Sequence, residues 1–400
     1  VTNGYLQYKI TSTNGGYNMT EFKDVPKSET ATDTILAYSA SIDVGVTQTY
    51  TVEFIYKNDE SVDQSEDMGK TLSGKLFITE GTEGPVTLLS QLLADKSTVL
   101  TRTDFSKVLT NDNTKTLYTS TEDSKTVYYF AGNATDNWVK FGKNANNQDL
   151  YWRIIRTNSD GSVRLLYHGT STTATDAYIG TSAFNSSYAD TAYVSYMYGS
   201  LGSIPNAREN TTDSTIKTTI DNWYKDNLNT NYGKYLSTTA VYCNDRSTSD
   251  NTNFGAYTRL NTNKTPSYDC AATEDKFTVD TSTGNGKLTY PIALMTADEV
   301  RFAGGLWTTN APTWYYYNSA NGSSTGSNWW WLLSPSTWTA NDIHASVFRM
   351  LNSSYPGRLT YNTVYSPDGV RPVISLKSCI KYSTGNGSAN APYTILETGC

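Results

Sequence analysis

In the stretch YTVEFIYK, Tyr50, Val52, Phe54 and Tyr56 alternate with Thr51, Glu53 and Lys57, and only Ile55 interrupts the two-residue period. Such alternation puts the apolar side chains on one face of a half-buried strand. ILAYSASIDVG before it and GKLFIT after it are bounded by Gly, Asp and Asn turn signals, so residues 1–82 are predicted to fold as a small antiparallel all-β sandwich. The rhythm breaks in GPVTLLSQLLADKSTVL. There Leu88, Leu89, Leu92 and Leu93 recur at helical spacing behind Pro85, which predicts a short helix inside a helical connector over 83–125.

From residue 126 to 400 the pattern becomes short strands among long polar loops. LYWRIIRT and SVRLLYHG flank NSDG, whose Asp160-Gly161 pair is a hairpin signal. STIKTTIDNWYKDNL places Ile216, Ile220, Trp223 and Leu228 on one helical face. TADEVRFAGG starts with Thr296 and Glu299 in capping-box spacing and stops at Gly304-Gly305. The outer strands VYYFAG and APYTIL are expected to pair with each other. Between Trp329 and Leu376 a regular apolar run opens the segment and another, GVRPVISL, closes it, while Ser336 to Ser366 mixes aromatic, charged and small polar residues with no period. Gly369 is expected to supply a turn, and Arg371, inside an apolar strand, must find a partner.

Composition narrows the function classes. Charged residues make up 17% of the 400, below the usual ~25%, and Ser, Thr, Asn and Gly fill the polar remainder, as in strand-and-loop proteins that work outside the cell. A net charge of -7 without any Lys/Arg cluster argues against nucleic acid as a partner. The apolar runs fall far short of the ~20 residues of a membrane span, and a membrane anchor outside the given chain is left open. The four cysteines lack zinc or redox spacing and permit three pairings. The preferred one joins Cys243 to Cys270 and Cys379 to Cys400, because each bridge staples a segment with little core of its own. Disulfides imply an oxidising, extracellular compartment.

Candidates for catalysis are few. Of two histidines, His168 ends an apolar strand and reads as structural, and His344 reads as a surface contact. GSSTG matches G-x-S-x-G, but Ser324 lies in a Ser/Gly-rich loop without the strand and helix that a nucleophile elbow requires. Asp298, Glu299 and Asp342 are the carboxylates a glycosidase could use, the first two reading more simply as helix-capping residues. No cofactor is expected, and calcium binding is left open.

YYFAGNATDNWVKFG, YWRIIRTNSDGSVRLLY, YPIALMTADEVRFAGG, WWLLSPS and GVRPVISL resemble secreted or surface-attached bacterial proteins carrying a C-type-lectin-like domain. That fold also serves the variable proteins of diversity-generating retroelements and, more distantly, formylglycine-generating enzymes. The likeness covers roughly residues 125–396, and DQSEDMGKTLSGKLFI is similar to sandwich domains that precede this module. The resemblance implies an α+β chain, with a C-type-lectin-like domain over 126–400 preceded by the sandwich. It implies a non-enzymatic extracellular binding protein, a variable protein or adhesin, whose partner is a protein or glycan on another cell or host surface. The alternatives are a carbohydrate-active enzyme and a structural surface or pilus-like subunit. In the variable-protein reading, Trp338, His344, Phe348, Arg349, Tyr355, Arg358, Tyr361 and Tyr365 are the contact residues, and Ile343 joins the positions open to rewriting. Phe348 and Tyr361 stay open between surface and core. Loop placement favours exposure for Trp338, Arg349 and Tyr355.

Overall fold

The computed structural model describes residues 5–13, 18–25, 47–69, 86–174, 177–316, 329–338, 344–351, 355–398 and 400. Strand outweighs helix, 32% to 17%, so sheets set the frame of this mixed α+β chain. It divides into two compact units, Val1–Val86 and Thr87–Cys400.

In the first unit Leu6–Ser12 pairs antiparallel with Lys23–Asp24 on one side and with Tyr50–Tyr56 on the other. Tyr8, Ile10 and Met19 form its small core, with Val25, Tyr50 and Val52 packed against them. The alternation along Tyr50–Tyr56 therefore covers only its first half, and Phe54 and Tyr56 are exposed. Among the described residues this is one three-stranded sheet. ILAYSASIDVG and GKLFIT, expected as further strands, lie outside them.

The second unit starts with the helix Leu88–Asp95. Thr87 caps it by accepting from the Ser90 backbone N–H, and Leu88 and Leu92 are buried. Among the described residues the rest of the expected connector is not helical. Thr98–Thr101 runs parallel to Thr116–Glu122, which in turn pairs with Lys125–Tyr129, so residues 87–125 pack as part of this unit. These strands end a ten-stranded sheet, curled like half a barrel, that continues through Asp149–Thr157, Val163–Tyr167, Pro372–Leu376 and Ile292–Leu294. The NSDG turn joins Asp149–Thr157 to Val163–Tyr167 as expected, with Gly161 at φ +80° and its N–H on Asn158 O at 2.9 Å.

VYYFAG and APYTIL do not pair. Lys125–Tyr129 is flanked by Thr116–Glu122 and Asp149–Thr157, and Tyr393–Ile395 instead runs parallel to Trp138–Lys143, with Tyr393 opposite Val139. The helix Thr215–Asn227 buries Ile216, Ile220 and Tyr224 and holds Trp223 against Tyr167. Ala297–Phe302 carries the full capping box from Thr296 and Glu299. Both expected disulfides, Cys243–Cys270 and Cys379–Cys400, are formed.

GVRPVISL divides between two sheets. Asp368–Gly369 belongs to a five-stranded sheet ordered Thr181–Ser182, Asp368–Gly369, Trp330–Thr337, Ser346–Met350 and Leu359–Thr363, whereas Pro372–Leu376 lies inside the large sheet. Gly369 has no positive φ and makes no turn. Its requirement is close approach, since a Cβ there would meet Trp329 O at 2.9 Å and the Tyr178 ring at 2.8 Å. Trp330 and Trp331 are buried, so the tryptophan run anchors this sheet in the core.

Candidate functional site

The irregular stretch from Ser336 to Ser366 contains a hairpin. Ser346–Met350 pairs with Leu359–Thr363 in a regular antiparallel register, Phe348 opposite Tyr361 and Arg349 opposite Thr360. Period is absent from the sequence because Ser346–Met350 is covered on both faces, which leaves no alternation to read. Leu359–Thr363 is the end strand of its sheet and keeps side chains half-exposed. The turn needs Gly357, at φ +65°, because a Cβ there would sit 1.9 Å from Ala311 O.

Two aromatic groups gather on the hairpin. At the first, Tyr361 stacks on Trp307 with ring centres 5.1 Å apart and 15° between planes, Tyr257 lies 5.8 Å from Trp307, and Phe348 lies 6.0 Å from it on the core side. At the second, Tyr188 lies 4.8 Å from His344 and 4.9 Å from Tyr365. His344 and Tyr365 each lie four residues along the strands from Phe348 and Tyr361. Both lie just beyond the strand ends, Tyr365 in a turn. The Tyr188 loop is tied to the hairpin by Ala345 N to Tyr188 O at 3.1 Å and Asn185 N to Val364 O at 3.0 Å. In the turn, the Arg358 guanidinium sits 5.2 Å over the Tyr355 ring.

The residues expected as contacts therefore separate. His344, Tyr355, Tyr361 and Tyr365 are exposed, the last at 53%. Trp338 and Arg358 are half-buried, Trp338 with its ring 4.6 Å from Phe254. Phe348 is core, and Arg349, expected to be exposed, is only 7% accessible. Its Nη1 donates to Asp368 at 2.8 and 3.1 Å, and its guanidinium lies 3.7 Å from the centre of the Trp329 ring. Burial pushes the Asp368 carboxyl up and the Arg349 guanidinium down, so desolvation outweighs their attraction on both sides. Arg349 is a frame residue because strand register turns it away from Phe348. Tyr188, Tyr257 and Trp307 escaped the sequence reading. They come from loops distant in sequence, and only the Asn/Ser/Thr-rich length of those loops marked them. Ile343, Asp342 and Ser324 lie outside the described residues.

Of the carboxylates a glycosidase could use, the two described ones, Asp298 and Glu299, are held in ion pairs. Glu299 accepts from Arg156 Nε at 2.9 Å, Arg164 Nη1 at 2.7 Å and Thr296 N at 2.9 Å. Burial alone would raise its pKa, but the Arg164 and Arg156 charges and the Thr296 bond outweigh that and hold it below the ordinary value. Asp298 accepts from Arg259 through both oxygens at 2.8 Å. Asp298, Arg156, Arg164, Arg259 and Tyr268 line a cavity of about 20 Å³, room for a water molecule or so and too small for a sugar ring. Among the described residues no group of three or more His, Cys, Asp or Glu is placed to hold a metal ion.

No family model matches the chain, and neither a curated protein nor a solved structure matches it. The functional reading therefore rests on the chemistry of the site itself.

Proposed function

We propose that the chain is a non-enzymatic extracellular ligand-binding protein of the C-type-lectin-like kind, akin to retroelement variable proteins or adhesins, and that the aromatic face of the 346–363 hairpin is its binding surface. The observation that carries this reading is the presence of two partly exposed aromatic groups, Tyr257, Trp307 and Tyr361 and then Tyr188, His344 and Tyr365, on one hairpin whose Ser346–Met350 strand is fixed in the core. Large rigid rings bury much area at small entropic cost, which makes them effective in contact surfaces. Two disulfides favour an oxidising compartment, and among the described residues no helix is long and apolar enough to cross a membrane. The partner is a protein or a glycan on another cell or host surface.

The test compares the wild type with a Tyr188→Ala, Tyr361→Ala, Tyr365→Ala triple variant on a glycan array and on intact host cells. Loss of a wild-type signal at unchanged Tm supports the reading. Binding that persists in the folded variant moves the site elsewhere. The retroelement part is checked in the gene: a nearby template copy differing at adenines, beside a reverse transcriptase, is expected. Substitutions should concentrate at His344 and Tyr355 rather than at Phe348 and Arg349, whose replacement disturbs the core. Absence of such a template leaves an ordinary adhesin.

A further inference from the structure

Where the chain crosses from the five-stranded to the ten-stranded sheet, buried charge accumulates without counter-charge. Arg153 donates through Nε to Asn137 Oδ1 at 2.6 Å and through Nη2 to Ala134 O at 2.8 Å, and it lies 4.2 Å from the centre of the Trp138 ring. Its Nη1 is buried with no partner among the described residues. Arg371 lies 4.7 Å from the centre of the Trp330 ring and donates to Tyr315 O at 2.8 Å and Tyr167 O at 3.1 Å. Its Nη2 also lies 3.3 Å from Nδ1 of His168.

That last contact assigns the histidine tautomer. A guanidinium has no acceptor, so Nδ1 accepts and the imidazole proton sits on Nε2. Burial, reinforced by the charges of Arg371 and Arg153, holds His168 neutral, far below its ordinary pKa. Nε2 of His168 has no partner among the described residues, nor has Nε1 of Trp138, whose ring meets the imidazole edge-on with centres 4.5 Å apart. Three N–H donors on adjoining side chains, each no more than 1% accessible, are thus idle beside two guanidiniums. Asp136, the acid whose charge reaches Arg153, is held by Lys96 at 2.5 Å, so its charge is already matched.

We propose that Arg153, Arg371, His168 and Trp138 form a binding site for a small inorganic anion of chloride size. Water is the weaker occupant, because it accepts at most two donors and brings no charge to offset two guanidiniums. The cluster is packed among the buried Trp138, Trp314 and Trp330 rings, which favours the smallest anions over tetrahedral oxyanions. A halide accepts from all three donors and neutralises part of the charge. It would fasten the Asp149–Thr157 strand to the sheet crossover that underlies the hairpin frame. This site is independent of whatever ligand the aromatic face binds.

The experiment titrates chloride against gluconate at constant ionic strength, following Tm and the chlorine NMR line width. The expected result is a saturable Tm rise of roughly 2–4 °C and a broadened chloride line. Trp138→Phe, which removes one donor and keeps an aromatic ring, should weaken chloride binding roughly tenfold, and Arg153→Gln should abolish it. If Arg153→Gln does not fold, the Trp138→Phe affinity decides. A Tm indifferent to the anion at fixed ionic strength overturns the proposal, as does line broadening that survives unchanged in Trp138→Phe.

Discussion

Glu299→Gln separates buried from exposed charge pairing within one molecule. Glu299 is 1% accessible and holds Arg156 and Arg164 through one oxygen while its other oxygen takes the Thr296 backbone N–H. Glutamine preserves shape and one acceptor but removes the charge that offsets two buried guanidiniums. Breaking a buried pair from one side costs about 3–5 kcal/mol, because the orphaned charge keeps its desolvation penalty. Arg156 retains Glu122 at 2.8 Å, which places the expected loss near the lower end, about 3 kcal/mol. Asp149→Asn is the matched control. Asp149 meets Lys140 at 2.7 Å and Lys143 at 3.1 Å, but all three side chains are 29% to 44% accessible, so solvent screening leaves the change below about 1 kcal/mol. Urea unfolding of the larger unit, followed by tryptophan fluorescence, reads both variants. The midpoint should fall for Glu299→Gln at nearly constant m. The pH arm has a definite sign. Because the folded pKa of Glu299 is depressed, its contribution is present above the unfolded value of about 4.3 and is lost as pH falls through the folded value. The wild-type advantage over Glu299→Gln should therefore shrink in acid. Equal losses for Glu299→Gln and Asp149→Asn, within about 0.5 kcal/mol, would refute the claim that burial sets the magnitude.

Arg349→Ala should lower Tm by leaving the Asp368 carboxylate buried and unpaired, whereas Tyr365→Ala, at an exposed site, should leave it nearly unchanged; calorimetry of the two variants distinguishes frame from surface. Loss of the Cys243–Cys270 bridge in a Cys243→Ser, Cys270→Ser variant should cost about 3.5 kcal/mol, from the entropy of a 27-residue loop, and urea midpoints check it. His168 is held neutral, so stability should begin to fall as pH drops below about 6.5, the unfolded value, and continue toward the much lower folded one. His168→Gln, which keeps an acceptor for Arg371, should flatten that slope between about pH 6.5 and 5, and an unchanged slope in thermal melts would place the titration elsewhere.

Local order was legible in the sequence wherever one face of an element is buried and the other is wet, or where a turn demands one residue type. The Leu88–Asp95 and Thr215–Asn227 helices, the Thr296 helix start and the Asp160-Gly161 hairpin follow from spacing and capping chemistry, which act over a few residues. The cysteine pairing was also readable, since each bridge closes a short polar segment. Spacing could not reveal the Ser346–Met350 strand, which is buried on both faces and so shows no period. Nor could it show that Phe348 faces the core-side aromatic group while its neighbour Arg349 turns toward Asp368. Adjacent strand residues point to opposite faces, and what covers each face is contributed by distant chain. The aromatic surface of the hairpin illustrates this best: Tyr361 and Tyr365 came from the segment itself, whereas Tyr188, Tyr257 and Trp307 reach it only because tertiary packing brings three distant chain segments to one hairpin.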